Sequence, residues 1–110
     1  IFRTSYAQDM DVQQIRDMYY EAVEDRKTAE RLLKILEESP QDKALILGYK
    51  GAAESLMAKH AFNPIKKLEW LDQCEVSFDQ ALKLDKANVE VRFLRFAYQH
   101  YLPKFLGDLN

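Results

Sequence analysis

The feature that most constrains this chain is a long stretch, between Asp9 and Ser39, that contains neither glycine nor proline. Its apolar residues recur every three or four positions, which is the period of one face of an α-helix. Only the polar segment 24–27 offers a place to turn, so we expect two helices that meet there. Pro40 forces an end near Glu38, because the residue before a proline is pushed out of the α region. The apolar positions are Val12, Ile15, Met18, Tyr19, Ala22 and Val23, then Ala29, Leu32, Leu33 and Leu36.

A third helix is expected from just after Asp42 to His60, and one of its faces carries small residues. Each glycine inside a helix costs about 1 kcal/mol relative to alanine, so another interaction has to offset two of them. We favour close packing of a neighbouring helix; a ligand lying against the bare backbone is the alternative. The small face consists of Ala44, Gly48, Gly51, Ala52, Ser55 and Ala58.

Asparagine marks the start of the last two expected helices. Asn63 is followed by Pro64; asparagine is a preferred N-cap, and proline is best tolerated at the first helical position. The apolar pattern of this fourth helix continues to the polar segment 85–88, where Asn88 is placed to cap a fifth helix. We expect Pro103 to end the fifth helix, and the tail 104–110 to fold back onto the body.

Composition narrows the class of protein. The 110 residues suit one domain, and 47% apolar with 31% charged residues is typical of a folded helical chain. The net charge of −2 gives no basic surface for nucleic acid. No apolar run approaches the roughly 18 residues that a membrane span needs, so no span is expected. The single cysteine, Cys74, cannot form an internal disulfide and is interpreted as a small core residue.

The first residues suggest export. Ser5 and Ala7 are small residues at the −3 and −1 positions of a signal-peptidase pattern. We therefore interpret residues 1–8 as disordered or as the remnant of a signal peptide, and residues 9–110 as a single helical-hairpin domain. A periplasmic or otherwise exported location is favoured over the cytoplasm.

The segment 78–88, Phe-Asp-Gln-Ala-Leu-Lys-Leu-Asp-Lys-Ala-Asn, resembles the end of a tetratricopeptide repeat. The second helix of that repeat finishes with an aromatic residue, an alanine and a Leu-x-Leu-Asp-Pro-x-Asn-like turn. Lys86 stands where the family prefers proline, and 62–64 falls where the first helix of a repeat should lie. The segments 58–68 and 92–107 are also similar to a group of small bacterial proteins of unassigned function with a tetratricopeptide-like fold. The resemblance implies an all-α fold of about five helices in stacked antiparallel hairpins and a possible envelope location, and it indicates nothing about activity.

The sequence contains no recognisable catalytic or metal-binding motif. Two histidines and one cysteine do not provide the ligands of a structural zinc site, and no Glu-x-x-His motif is present. Neither a phosphate-binding loop nor a dinucleotide-binding glycine pattern occurs. We expect no cofactor, no metal and no enzymatic activity. Four acidic residues on one side of the fourth helix are interpreted as a solvated surface: Glu69, Asp72, Glu75 and Asp79.

The most specific functional hypothesis is a basic patch with an aromatic residue at its edge. If its members converge, they would suit an acidic peptide or a carboxylate terminus. The alternative is that Arg92 and Arg95 pair with local acids such as Glu90, and that Trp70 packs in the core. The candidate residues are Lys59, His60, Asn63, Lys66, Lys67, Trp70, Arg92 and Arg95.

The function expected from this fold is binding of a protein or peptide in a groove between helices, because repeat-type hairpins leave a concave face free. A structural homodimer or assembly subunit is the alternative, and an enzyme with an unrecognised site is a third hypothesis. The adjacent Tyr19 and Tyr20 cannot both face inward, so one of them is expected in a groove or on the surface.

Overall fold

Five α-helices form the part of the chain that the computed structural model describes, residues 10–107, with side chains described up to residue 101. No strand occurs within this range, so the predicted all-α class is confirmed. The expectation for residues 1–8 lies outside the described residues. The helices are α1 Val12–Glu24, α2 Arg26–Glu37, α3 Ala44–His60, α4 Pro64–Leu84 and α5 Val89–Gly107.

Side-chain caps fix where the first two helices begin. The Asp11 carboxylate accepts a hydrogen bond from the backbone N–H of Gln14, and the Gln14 side chain accepts one from Asp11 N, both at 2.9 Å. Asp25 is the single residue between α1 and α2, and its carboxylate accepts from Thr28 N at 3.1 Å. The turn predicted at 24–27 is therefore confirmed and is only one residue long.

The asparagine caps are also confirmed. Asn63 Oδ1 accepts from the backbone N–H groups of Ile65 and Lys66 at 2.8 and 3.2 Å, directly before Pro64. Asn88 Oδ1 accepts from Val91 N at 2.9 Å. These bonds satisfy N–H groups that have no partner inside the helix.

The expected end of the last helix was wrong. α5 continues through Pro103 to Gly107, so the segment 104–107 extends the helix instead of folding back. A proline inside a helix removes one hydrogen bond and costs about 3 kcal/mol, which weakens a helix without forbidding it. Here fourteen helical residues, Val89–Leu102, precede the proline. Nucleation, the costly step of helix formation, is complete before the chain reaches it.

Contacts between named residues give the direction of each helix. Lys67 near the start of α4 reaches Ala58 near the end of α3, so these two helices are antiparallel. Val91 at the start of α5 lies against Gly48 at the start of α3, so α5 and α3 run the same way. Lys59 at the end of α3 bonds to Val23 at the end of α1. α1, α3 and α5 therefore share one direction, and α2 returns from the end of α1 to the start of α3.

α3 is the central helix, because it packs against all four others. Every residue from Leu47 to Ala58 except the partly buried Lys50 is buried. A Cβ atom added at Gly48 would lie 2.8 Å from Val91 Cγ2, and one added at Gly51 would lie 3.1 Å from the Phe78 ring. The glycines thus permit close approach of α5 and α4, which confirms the packing interpretation of the small face.

Candidate functional site

A groove lies between α1 and α5, with α3 beneath it. Both outer helices pack on α3, but their own backbones make no close approach to each other in the described part of the chain. The space between them has a volume of about 700 Å³. Six aromatic side chains line it: Tyr19, Tyr20, Tyr49, Phe93, Tyr98 and Tyr101. We call this space the α1–α5 groove.

The groove has exposed aromatic walls and a buried floor. Tyr20 on the α1 wall is 70% exposed, and Phe93 and Tyr101 on the α5 wall are 61% and 53% exposed. The floor contains the buried rings of Tyr49 and Tyr98. Contiguous exposed apolar side chains often mark an interaction site, so the walls are an apolar surface that a partner could cover.

An ion pair spans the groove near the start of α1 and α5. Arg16 Nε donates to Glu90 Oε2 and Arg16 Nη2 donates to Glu90 Oε1, each at 2.7 Å. The Tyr49 hydroxyl also donates to Glu90 Oε2. Hydrogen bonds from Arg16 hold the pKa of Glu90 below its usual range. Burial, followed by the hydrogen bond to Glu90, raises the pKa of the Tyr49 hydroxyl.

Two basic residues cap α1 near the other end of the groove, and one of them, Lys59, lines it. Lys59 Nζ donates to the carbonyl of Val23 and lies 3.8 Å from a Glu24 carboxylate oxygen. His60 Nε2 lies 3.1 Å from the carbonyl oxygen of Ala22. Both side chains sit where the helix dipole favours a cation. The charged residues of the groove therefore form two opposite-charge pairs with no net charge.

Three more of the predicted patch residues have structural partners at the α3–α4 corner. Lys67 is buried, and its ammonium group donates to the carbonyls of Ala58 and Lys59 at 3.0 and 3.3 Å. Asn63 caps α4, and exposed Lys66 lies 3.3 Å from Glu69. The two lysines therefore bind carbonyl groups at the end of α3 or a neighbouring carboxylate.

The structure does not bring all eight patch residues together. Arg95 Nη2 lies 2.7 Å from Glu75 and 3.5 Å from Asp79. Asp79 follows Lys67 by twelve positions, which is about 18 Å along α4 at the helical rise. The two arginines therefore belong to the opposite end of α4 from the lysines. Arg92 donates to the Lys86 carbonyl at 2.8 Å.

The alternative interpretation of the patch describes Arg95 and Trp70 better, whereas Arg92 binds a backbone carbonyl and pairs with no acid among the described residues. Arg95 does pair with local acids, although these are Glu75 and Asp79. Glu90, the acid expected for it, binds Arg16. Trp70 is partly buried and packs against the core. Of the eight residues, only Lys59 lines the α1–α5 groove.

One carboxylate lies away from the groove, in the α3–α4 interface. Glu54 is 1% exposed, and its Oε1 accepts from the Ser77 hydroxyl at 2.6 Å. Its Oε2 lies 3.4 Å from Lys50 Nζ, an ion pair without hydrogen-bond geometry. Burial raises the pKa of Glu54, and the contacts with Ser77 and Lys50 oppose that rise. Glu54 has no access to the groove and is interpreted as part of the core.

Sequence reasoning found one wall of the groove and missed the other. The expectation that one of the adjacent tyrosines lies in a groove or on the surface is confirmed by Tyr20. The missed signal lies in α5, whose sequence has more aromatic residues than one buried face can hold. Of the exposed ones, Phe93 and Tyr101 line the groove and Phe96 does not. Cys74 is fully buried, as expected for a core residue.

Among the described residues, no group of histidine, cysteine and acidic side chains could hold a metal ion. No helix in the described range has the length and apolarity to cross a membrane. No family model matches the chain, and no curated protein or solved structure matches it.

Proposed function

We propose that this chain is a protein- or peptide-binding module of tetratricopeptide-like construction, whose binding surface is the α1–α5 groove. The observation that carries the proposal is the pair of exposed aromatic walls, on two helices that share a floor but whose backbones do not approach each other closely. Aromatic side chains supply large contact areas at little conformational cost, which is why they dominate binding surfaces.

The alternation of helices supports the tetratricopeptide-like part of the proposal. Every residue that lines the groove comes from α1, α3 or α5, which run in one direction. α2 and α4 lie outside it. A stack of antiparallel hairpins has this arrangement, in which the first helices of successive hairpins form one continuous surface.

A library of displayed peptides tests the proposal. Peptides selected on the natural chain should bind Tyr20→Lys and Phe93→Lys at least tenfold more weakly, because each change puts a charge into an apolar wall. Phe62→Lys is the matched control, since Phe62 is 90% exposed and does not line the groove. Failure to select any peptide, or equal binding to all three variants, would count against a binding groove.

A structural homodimer is the second candidate function, and a different surface supports it. Val89 and Phe96 on α5 are 79% and 65% exposed and lie outside the groove. Exposed apolar side chains at helical spacing are typical of a surface that another subunit covers. Sedimentation should then show a dimer for the natural chain and a monomer for Phe96→Lys. A monomer at all concentrations would exclude this candidate.

A further inference from the structure

The charged groups of the α1–α5 groove are satisfied by one another. Glu90 accepts from Arg16 and Tyr49, and Lys59 is held by Val23 and Glu24. Each charged group of the groove already lies beside an opposite charge, so a charged ligand gains little from it. Charge complementarity therefore favours a neutral occupant.

The polar groups that stay available in the groove are phenolic hydroxyls. Within the described residues, the hydroxyls of Tyr19, Tyr20 and Tyr101 form no hydrogen bond, whereas those of Tyr49 and Tyr98 donate to carboxylates. A phenol readily donates to a carbonyl oxygen. Glu24 and Glu90 stand at the two ends of the groove, and between them its described lining residues include no carboxylate to receive N–H groups from a ligand. An occupant rich in carbonyls and poor in N–H groups suits it best.

The dimensions suit a short extended segment. Glu90 and Tyr101, both lining the α5 wall, are eleven residues apart, which is about 16 Å along the helix. A polyproline II segment rises about 3.1 Å per residue, so about five residues cover that length. Proline has a carbonyl but no N–H, and its ring packs flat on aromatic side chains in grooves that recognise this conformation.

We infer that the α1–α5 groove binds a neutral, proline-rich segment in the polyproline II conformation. Its proline rings pack against the walls at Tyr20 and Phe93, and its carbonyls accept hydrogen bonds from the tyrosine hydroxyls. The inference rests on the proposed binding function and names the partner's chemistry. The segment's stiffness lowers the entropy lost on binding, which a groove of this small size requires.

Calorimetric titration with an acetylated and amidated oligoproline of about ten residues, which spans about 31 Å and exceeds the groove, tests the inference. We expect saturable binding that weakens at least tenfold in Tyr20→Ala and in Phe93→Ala. Phe62→Ala is the control and should leave the affinity unchanged. The three residues are all more than half exposed, so the variants should retain the fold, which circular dichroism would verify. Because the occupant is neutral, raising the salt concentration should change the affinity less than twofold.

A second probe separates this inference from the proposed function. It is an acetylated, amidated amphipathic helix of leucine, alanine and glutamine. If that helix binds and is lost in Tyr20→Ala while oligoproline does not bind, the groove binds peptides but the inference is wrong. Oligoproline binding that is equal in all three alanine variants would also overturn it. If neither probe nor any library peptide binds, both the inference and the proposed function fail.

Discussion

Phe78 and Phe93 represent two regions of this molecule that use aromatic residues in opposite ways. Phe78 on α4 is fully buried, and its ring lies against Gly51 of α3, where the absence of a side chain lets the two helices meet. Phe93 on α5 is 61% exposed and faces α1 across an open groove. The contrast shows what decides between a closed interface and a groove.

An interface closes here where a large side chain meets a glycine, and it stays open where large side chains face each other. The α1 and α5 walls both carry bulky rings, and neither wall has a glycine among its described lining residues to receive the other's. Their direct link in the described residues is the ion pair between Arg16 and Glu90. The core is therefore expected to be rigid and intolerant of change, and the groove to tolerate substitution.

The largest expected effect comes from truncating the two phenylalanines. Phe78→Ala should lower the free energy of unfolding by about 3–5 kcal/mol, because it removes a buried ring and leaves a cavity. Phe93→Ala should change it by less than about 0.5 kcal/mol, since most of that ring already contacts solvent. Urea denaturation monitored by circular dichroism measures both. Equal losses would show that the groove wall is part of the core.

A smaller loss is expected when a methyl group is added to α3. Gly48→Ala places a Cβ 2.8 Å from Val91 Cγ2, and overpacking costs typically about 1–3 kcal/mol. The gain in helix propensity, about 1 kcal/mol, offsets part of that. Gly51→Ala is the matched comparison and should cost less, because its closest contact is 3.1 Å. A stabilised Gly48→Ala variant would show that α5 can move away from α3 freely.

Much of the fold could be predicted from local sequence signals. Asn63 and Asn88 were identified as caps because capping depends on residues only two or three positions away. The glycines of α3 also predicted close packing from the local sequence, because a helix interior does not tolerate glycine without a compensating interaction. The prediction at Pro103 was wrong because the cost of one proline is smaller than the stability of the long helix that precedes it.

The candidate site was much harder to predict, because it depends on which distant helices meet. Glu75 and Glu90 have similar surroundings in sequence, yet Arg95 pairs with the first and Arg16 with the second. The groove exists because α1 and α5, far apart in the chain, both pack on α3. No spacing of residues within either helix reports how far apart the two helices lie.

The core and the groove each contain a glutamate whose pKa is shifted, and the two shifts have opposite signs. The glutamate of the core is Glu54. Its pKa is raised from 4.5 by burial, so the folded chain binds its proton more tightly than the unfolded chain does. Stability from this group is therefore present below pH 4.5 and is lost as the pH rises through the raised pKa. Glu54→Gln should remove that loss and raise the free energy of unfolding at pH 8. The gain should be smaller than the loss expected for Gly48→Ala. Denaturation midpoints at pH 5 and pH 8 measure it, and a destabilised glutamine variant at pH 8 would show that the pair with Lys50 outweighs burial.

The glutamate of the groove is Glu90. Its pKa is shifted in the opposite direction, and the expected effect on stability is the smallest. Its pKa is held below 4.5 by Arg16, so its contribution is present above pH 4.5 and is lost as the pH falls through the lowered pKa. Glu90→Gln should cost about 0.5–1 kcal/mol at pH 7, as expected for a partly exposed ion pair, and should flatten the loss of stability in acid.

Hydrogen exchange tells whether that pair also sets the width of the groove. Because Arg16 and Glu90 join two helices whose backbones do not touch, breaking the pair should speed exchange in α1 more than in α3. Glu69→Gln is the control, since its pair with Lys66 lies within α4 and joins no two helices. Equal exchange rates in α1 of the natural chain and Glu90→Gln would mean that packing on α3 alone holds the groove open. The ion pair would then contribute only to the polar end of the groove, and the aromatic walls would be rigid without it.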